Sequence, residues 1–447
     1  MKLLYRKWGS EKDFVITYTS SKDSDKEIVD EVKTVMKAHV IELYLSGYIK
    51  KETAKKIIQA INSFRDFEGE YEDVHEALED YIIKMVGEEG GWVGLGRSRN
   101  DHVATALRLK MRNELVEIFE ALHELRKSIL NRAEKCVDTI IPLYTHFQPA
   151  QPSTLAHYLL YVDEELDSIW DQLFTYLKLV NRSPLGSGAI VGTNVKLDRK
   201  REAELLGFEG VIYNTISATS SRIDLIGVIS ALSLLMLVFS RIAEDLILLS
   251  SSFIGIIKLP DTHVSTSSLM PQKRNAVTME ILRTKAGECF GHLSSLVTMY
   301  KALPSGYDLD LQELNRHYWE CIKHVIPTIY VVKDVLEKME VVGEFKDGSI
   351  TATDMAEDLA LTGIPYRKAY MEVANKIRAG TFQSEISFKS SIEKKSVIGS
   401  PNPELIKEEI EIKKGNLERK WNEFKEYKSQ VIDKISELKV IEDDILQ

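Results

Sequence analysis

The sequence predicts an all-α fold. Proline and glycine are scarce, at 11 and 24 of 447 residues, and long stretches contain neither. Apolar residues recur at helical spacing, with no ordered series of alternating β-branched runs. A strand-rich chain would need turn residues roughly every 8–12 positions.

Taken in order, the first 97 residues carry shorter helical stretches, broken by Gly47, Gly69 and the cluster from Gly87 to Gly96. From Asp101 to Cys136, Val103, Leu107, Met111, Leu115, Ile118, Leu122, Leu125 and Ile129 recur at spacings of 4 and 3. From Ser153 to Val180 the series from Leu155 and Leu159 to Leu177 does the same. Such spacing puts one apolar stripe on each helix. Leu225 to Phe239 is apolar on nearly all sides, but its 15 residues fall short of the ~20 that a membrane span requires. It runs directly into Arg241, Glu244 and Asp245, so it is expected as the inner helix of a bundle. Another amphipathic helix is expected from Ala276 to Leu296. Beyond Gly343 the pattern shortens, with loops at Gly363-Ile364-Pro365 and from Gly399 to Pro403. Leu417, Trp421, Phe424, Val431, Ile435 and Leu438 then keep helical register in a Lys/Glu-rich, solvated tail.

Three helical domains are expected: 1–97, a central long-helix bundle over 98–343, and 344–447. Rods of 25 to 35 residues span ~40–50 Å and usually bury their spare apolar face against copies of themselves, so an oligomer is expected.

With 58 Lys and Arg against 68 Asp and Glu, the formal charge is -10. That gives no electrostatic reason to seek a phosphate backbone. A hydrophobic share of 44% and a charged share of 28% argue against both a membrane protein and wholesale disorder. The N-terminus MKLLYRKWGSEKDF has no apolar core for a signal peptide. Cys136, Cys289 and Cys321 lie far apart without a CxxC pairing, which is neither a disulfide framework nor a zinc site and fits a reducing cytoplasm.

Four short stretches break the helical pattern with dense polar residues. Gly94 to Asp101 (GLGRSRND) precedes a long helix. It reads either as a helix entry capped by Asn100 or Asp101, or as two arginines at a helix N-terminus awaiting an anion. Tyr144 to Pro152 (YTHFQPAQP) surrounds His146 with prolines and glutamines, and that histidine is either structural or catalytic. Pro184 to Ala189 (PLGSGA) is a helix-ending turn or a close backbone approach to a ligand. Ser265 to Asn275 (STSSLMPQKRN) is a mobile surface loop or one that folds over a ligand, and its Leu-Met-Pro centre asks for cover. No HExxH, EF-hand or Cys/His ligand spacing occurs, so no metal or other cofactor is implied.

In this order, on helices of this length, the stretches resemble the fumarase/aspartase superfamily and, within it, the argininosuccinate lyase branch. GRSRND (96–101), YTHFQPAQP, PLGSGA, SSLMPQKRN (267–275) and LPSGYDLDLQE (303–313) carry the likeness. Thr193, Asp198-Arg199 and Ala352-Thr353-Asp354 extend it over nearly the whole chain. The resemblance implies three all-α domains and a homotetramer whose central helices share one bundle, with each active site drawn from three subunits. It also implies cleavage of argininosuccinate to arginine and fumarate, a cytoplasmic step of arginine biosynthesis. Another fumarate-releasing lyase, acting on adenylosuccinate, aspartate or malate, and a non-catalytic structural paralogue are the alternatives.

The elimination removes a weakly acidic proton beside a carboxylate, which then carries extra negative charge, and stabilising that charge is usually the largest electrostatic contribution. By the resemblance, Ser267 is the base, Lys273 stabilises its alkoxide, and His146 activates the serine or assists the second proton transfer. Glu280 is expected to orient His146. Substrate contacts are implied at Ser21, Asp25, Ser98, Arg99, Asn100, Thr145, Arg222, Ser268, Asn275, Tyr307 and Gln312. The general acid is either His146 or a water that it positions. The chain departs from the branch at Gly94-Leu95 (usually His-Thr), Ser221 (aspartate), Thr266 (glycine), Ala276 (proline) and Asn315 (lysine). One histidine and one lysine are thereby removed from the implied pocket.

Overall fold

A computed structural model describes residues 13–65, 67 and 71–447. Gly69 and the first twelve residues, read above for a helix break and a leader, lie outside the described residues. After two brief helical stretches, Asp13–Thr19 and Lys22–Asp25, come helices α1 (Val29–Leu45), α2 (Lys51–Ser63) and α3 (Val74–Val86). The rods follow: α4 (Arg99–Lys135), α5 (Leu155–Val180), α6 (Ile223–Ser250), α7 (Val277–Tyr300) and α8 (Asn315–Lys338). Helices α9 (Ala352–Leu361), α10 (Tyr366–Arg378) and the 44-residue α11 (Pro403–Leu446) close the chain. The fold is all-α, and one contiguous hydrophobic core runs from Ile28 to Ile445.

Local chemistry fixes the starts of the rods. At α4 the cap is Ser98, not Asn100 or Asp101: its side chain accepts from the helix, and Asp101 returns the bond to the Ser98 amide at 3.0 Å. Thr154 caps α5, and Asn402 followed by Pro403 opens α11. Helix α6 extends the apolar run to 28 residues, long and apolar enough to cross a membrane, yet 67% of its most apolar window is buried inside the protein. That matches a bundle's inner helix.

The rods are tied by charge as well as by packing. Buried Arg126 on α4 grips Asp163 of α5 at 2.8 Å and Asp167 at 2.7 Å, while Lys413 and Lys420 of α11 reach the same two carboxylates. Arg108 near the start of α4 pairs with Asp224 at the start of α6, and Tyr158 at the start of α5 donates to Asp245 near the end of α6. Helices α5 and α6 are therefore antiparallel, and the bundle has two distinct ends.

Besides two minimal strand pairs, at 182–183 with 210–211 and at 257–258 with 340–341, one larger element departs from the helical expectation. YTHFQPAQP is part of an antiparallel hairpin, β1 (Ile140–Thr145) and β2 (Gln148–Thr154), in which Pro142 faces Pro152 and Tyr144 faces Pro149. Prolines are tolerated there because both strands of a two-stranded ribbon are edges.

Candidate active site

At the first end of the bundle, residues from four distant stretches meet around Arg99, the first residue of α4. Its Nε pairs with Asp73, Nη1 donates to the Tyr307 hydroxyl at 2.6 Å, and Nη2 donates to Gln312 Oε1 at 3.2 Å. Gln312 in turn donates to the Thr19 carbonyl at 2.8 Å. Asp25 lies beside this group, accepting from the Ser21 hydroxyl at 2.9 Å and the Val74 amide at 3.2 Å. Burial, and then the Asp73 carboxylate, push the Asp25 carboxyl up to about 7. Burial alone would lower Arg99, but Asp73, Tyr307 and Asp25 raise it above its ordinary value. Five expected residues, Ser21, Asp25, Arg99, Tyr307 and Gln312, are thus assembled within one chain.

The same end holds polar atoms without protein partners. Arg222 is buried, and its Nη1 donates to the Thr219 and Ser221 carbonyls, but its Nε has no partner. Asp308 Oδ2 and Asn315 Oδ1 are also buried and unpaired. Buried polar groups are ordinarily satisfied, so exceptions gathered beside the Arg99 cluster make this end a candidate for a polar ligand.

GRSRND and PLGSGA are one structural unit. Asn100 donates to the Ala189 carbonyl at 3.0 Å, and the Gly188 amide donates to Asp101 Oδ2 at 2.9 Å. Burial raises Asp101 to about 6. PLGSGA is not the turn that ends α5, which stops at Val180. The close approach its glycines permit is to the protein itself: a Cβ on Gly186 would lie 2.5 Å from Arg199 Cγ, and one on Gly188 would lie 2.6 Å from the Gly192 carbonyl.

At the other end, the hairpin turns on His146 and Phe147 at φ of 54° and 59°, a left-handed conformation unusual for such side chains. Backbone strain of this kind clusters at functional positions. The turn leaves Thr145 and His146 exposed. Tyr144 and Phe147 join Tyr158, Tyr161, Arg241 and Asp245 around a cavity of about 280 Å³.

The serine loop is pinned at its base by paired bonds between Ser265 and Asn275, at 3.0 and 2.8 Å. Arg274 anchors it to the Leu259 carbonyl and to Asp261. Inside it, Ser267 Oγ accepts from the amides of Leu269 and Met270 at 3.1 and 3.2 Å. Two aimed N–H groups are what an alkoxide at that oxygen would require. Ser268, Lys273 and Glu280 are exposed, as is Leu269 at 84%.

Among the described residues, no hydrogen bond or ion pair joins Ser267, His146, Lys273 and Glu280 to one another within the chain. The Arg99 cluster is also far from them. Asp224 pairs near the first end, whereas Arg241 and Asp245 border the hairpin cavity. The 21 residues from Asp224 to Asp245 in α6 correspond to about 30 Å of helix. Asp73 was missed from the sequence, because an Asp before a helix reads as an N-cap; it is one, accepting from the Glu76 amide at 2.8 Å. Among the described residues no group of three or more His, Cys, Asp or Glu is placed to hold a metal ion.

The profile of a family described as lyase matches residues 9–291. The argininosuccinate lyase of Sulfurisphaera tokodaii is 70% identical over 444 residues, covering 99% of this chain and 100% of the relative. That of Sulfolobus acidocaldarius is 67% identical over 446 residues, covering 100% of both. Among solved structures, EDDS lyase in complex with formate matches with a TM-score of 0.83 at 22% identity, covering 99% of this chain and 97% of the other.

Proposed function

Because the chain belongs to the argininosuccinate lyase family, we propose that it cleaves argininosuccinate to arginine and fumarate in arginine biosynthesis, at sites completed by neighbouring copies. Carrying this reading is the cluster at the first end, where Arg99, Asp25, Tyr307 and Gln312 converge beside the unpaired Arg222 Nε. A dianionic fumarate moiety needs cations and aimed donors; a guanidino-amino acid needs a carboxylate such as Asp25.

The chemistry then divides by chain. Arg99, with Ser98, Asn100, Tyr307, Gln312 and Arg222, binds the substrate from one copy, with Ser21 and Asp25 at its amino-acid end. Ser267 removes the proton from the carbon next to the retained carboxylate, its oxygen stabilised by the Leu269 and Met270 amides and by Lys273. The extra charge on that carboxylate is met by Lys273 and Asn275 near the start of α7, with Ser268 alongside. Thr145 and His146, held out on the strained hairpin, complete the site, His146 serving the second proton transfer with Glu280 as its orienting carboxylate. Once the C–N bond breaks, the departing guanidino nitrogen takes a proton from His146 or from a water it holds.

Two features support a shared site. The groups lie at opposite ends of the bundle, and apolar side chains stand uncovered on the rods: Ile281 at 56% and Val297 at 46% on α7, Leu237 at 43% on α6. A homotetramer built through these faces fits both; the proposed domain divisions lie near residues 97 and 343. Cytoplasmic residence fits three cysteines held as thiols.

The direct test is fumarate absorbance on adding argininosuccinate, with adenylosuccinate, aspartate and malate as controls. Fumarate should appear with argininosuccinate alone, and Ser267→Ala should lower kcat by ~10²–10⁴, the usual cost of an acid–base group. A variant with near-normal kcat removes Ser267 from the mechanism.

A further inference from the structure

Of the three cysteines, two that are remote in sequence are neighbours in the fold. Cys289 on α7 and Cys321 on α8 are both fully buried, and Cys289 Sγ lies 3.8 Å from the Cys321 carbonyl oxygen. Helices α7 and α8 run side by side at this point, held by a hydrogen bond between His292 Nδ1 and His317 Nδ1 at 3.2 Å and a His324–Glu288 pair at 2.9 Å. The Cys289 thiol therefore reaches the backbone of Cys321 across a single helix–helix seam, which brings the two cysteines together. Cys136, at the end of α4, has no part in it.

We propose that Cys289 and Cys321 form an oxidisable dithiol that closes into one disulfide across the α7–α8 seam, leaving Cys136 as the remaining thiol. Neither residue has a place in the lyase chemistry above, and the proposal stands independently of it.

The two sulfurs are not equivalent. Contact with the Cys321 thiol holds Cys289 below the ordinary thiol range, while the same contact and burial push Cys321 up. In the proposed sequence Cys289 attacks first. With a small disulfide as oxidant, the Cys289 thiolate attacks one of its sulfurs and expels one small thiolate, leaving a mixed disulfide. The Cys321 thiolate then attacks the Cys289 sulfur and expels the second. Two electrons pass to the oxidant, and the two protein thiol protons end on the two released small thiols. Because both sulfurs are buried, attack requires the seam to open, and the rate follows that local opening.

A consequence for the site follows from connectivity. Helix α7 begins directly after the serine loop, so tying it to α8 restrains the element that presents Lys273, Asn275 and Glu280. The oxidised protein should be stiffer along this seam and should melt at a higher temperature than the reduced protein.

The test uses the full-length folded protein, incubated with hydroxyethyl disulfide and then denatured without reductant. Free thiols should fall from three to one, the intact mass should drop by two hydrogens, and a peptide map should link Cys289 to Cys321. The melting temperature should rise and return on reduction, with the same behaviour in Cys136→Ser and none in Cys321→Ser. The peptide map decides the matter even if a variant fails to fold. Three thiols surviving a prolonged incubation would overturn the proposal. So would a link through Cys136, or a mixed disulfide that Cys321 never resolves.

Discussion

The Arg99 guanidinium donates to the Tyr307 hydroxyl at 2.6 Å, joining two positions 208 residues apart. With Asp73 on Nε and Gln312 on Nη2, this planar fork is fixed on three sides before any ligand arrives. A pre-ordered cation loses little freedom on binding, and that is where much of its value lies.

Arg99→Lys keeps the charge but replaces the fork by a point cation that cannot meet Asp73, Tyr307 and Gln312 together. We expect kcat/KM for argininosuccinate to fall by about 10²-fold, since a charged hydrogen bond contributes ~1.5–3 kcal/mol. Tyr307→Phe, which leaves the guanidinium in place, should cost about tenfold by the same reasoning, chiefly as a higher KM. Steady-state kinetics on both variants checks the order; equal losses would mean the hydroxyl, not the fork, controls binding.

How far the sequence foretold this arrangement depends on the range of each interaction. The rods were legible because a stripe such as Val103, Leu107, Met111 and Leu115 repeats within one turn, and the observed α4 starts two residues before the expected Asp101. The hairpin was not legible. Pro149 and Pro152 read as a break in the helical pattern, and a turn made of His146 and Phe147 lacks the Gly or Asn that announces one. The motif residues could be named individually, but no spacing rule places Asp73 against Arg99. Nor does one bring Cys289 to Cys321, whose separation of 32 argued against pairing.

Asp25 links the pocket to stability through pH. Its carboxyl sits at about 7 instead of 3.8, so between those values the folded chain holds a proton that the unfolded chain has released. Stability must then fall as pH rises across that window. Burial sets Glu114 at about 7 and Asp101 at about 6, adding the same sign. Urea midpoints should decline from about pH 5 to pH 8, and Asp25→Asn should flatten part of that slope. At pH 8 the variant should gain roughly 1 kcal/mol in stability while its KM for argininosuccinate rises, the usual exchange at a binding site. A destabilised Asp25→Asn chain would show that the charge is compensated.

Arg126 governs stability without touching the site. Its guanidinium holds Asp163, whose side chain is fully buried, and removing it leaves that carboxylate with Lys413 at 3.6 Å as its remaining ion pair. Breaking a buried pair from one side typically costs ~3–5 kcal/mol, whereas replacing both sides with apolar residues is often neutral. Arg126→Ala should therefore unfold at markedly lower urea, and Arg126→Met combined with Asp163→Leu should recover most of the loss. Failure of the double variant to recover would assign the stability to the wider network with Asp167 and Lys420.

The separation between the two ends of the bundle yields the strongest test of a shared site. Arg99 belongs to the end where Arg108 meets Asp224, and His146 to the end near Asp245, about 30 Å away along α6. If each site takes Arg99 from one copy and His146 from another, Arg99→Lys and His146→Asn chains are each impaired alone. Mixed oligomers behave differently, because a site that draws Arg99 from a His146→Asn chain and His146 from an Arg99→Lys chain is intact. Random mixing of equal amounts makes about a quarter of sites intact, by the combinatorics of a closed symmetric assembly. Co-expression with two affinity tags, followed by isolation of doubly tagged oligomers, should recover activity toward that fraction. Doubly tagged oligomers no more active than their parents would place both residues of each site in one chain, contrary to the distance between them.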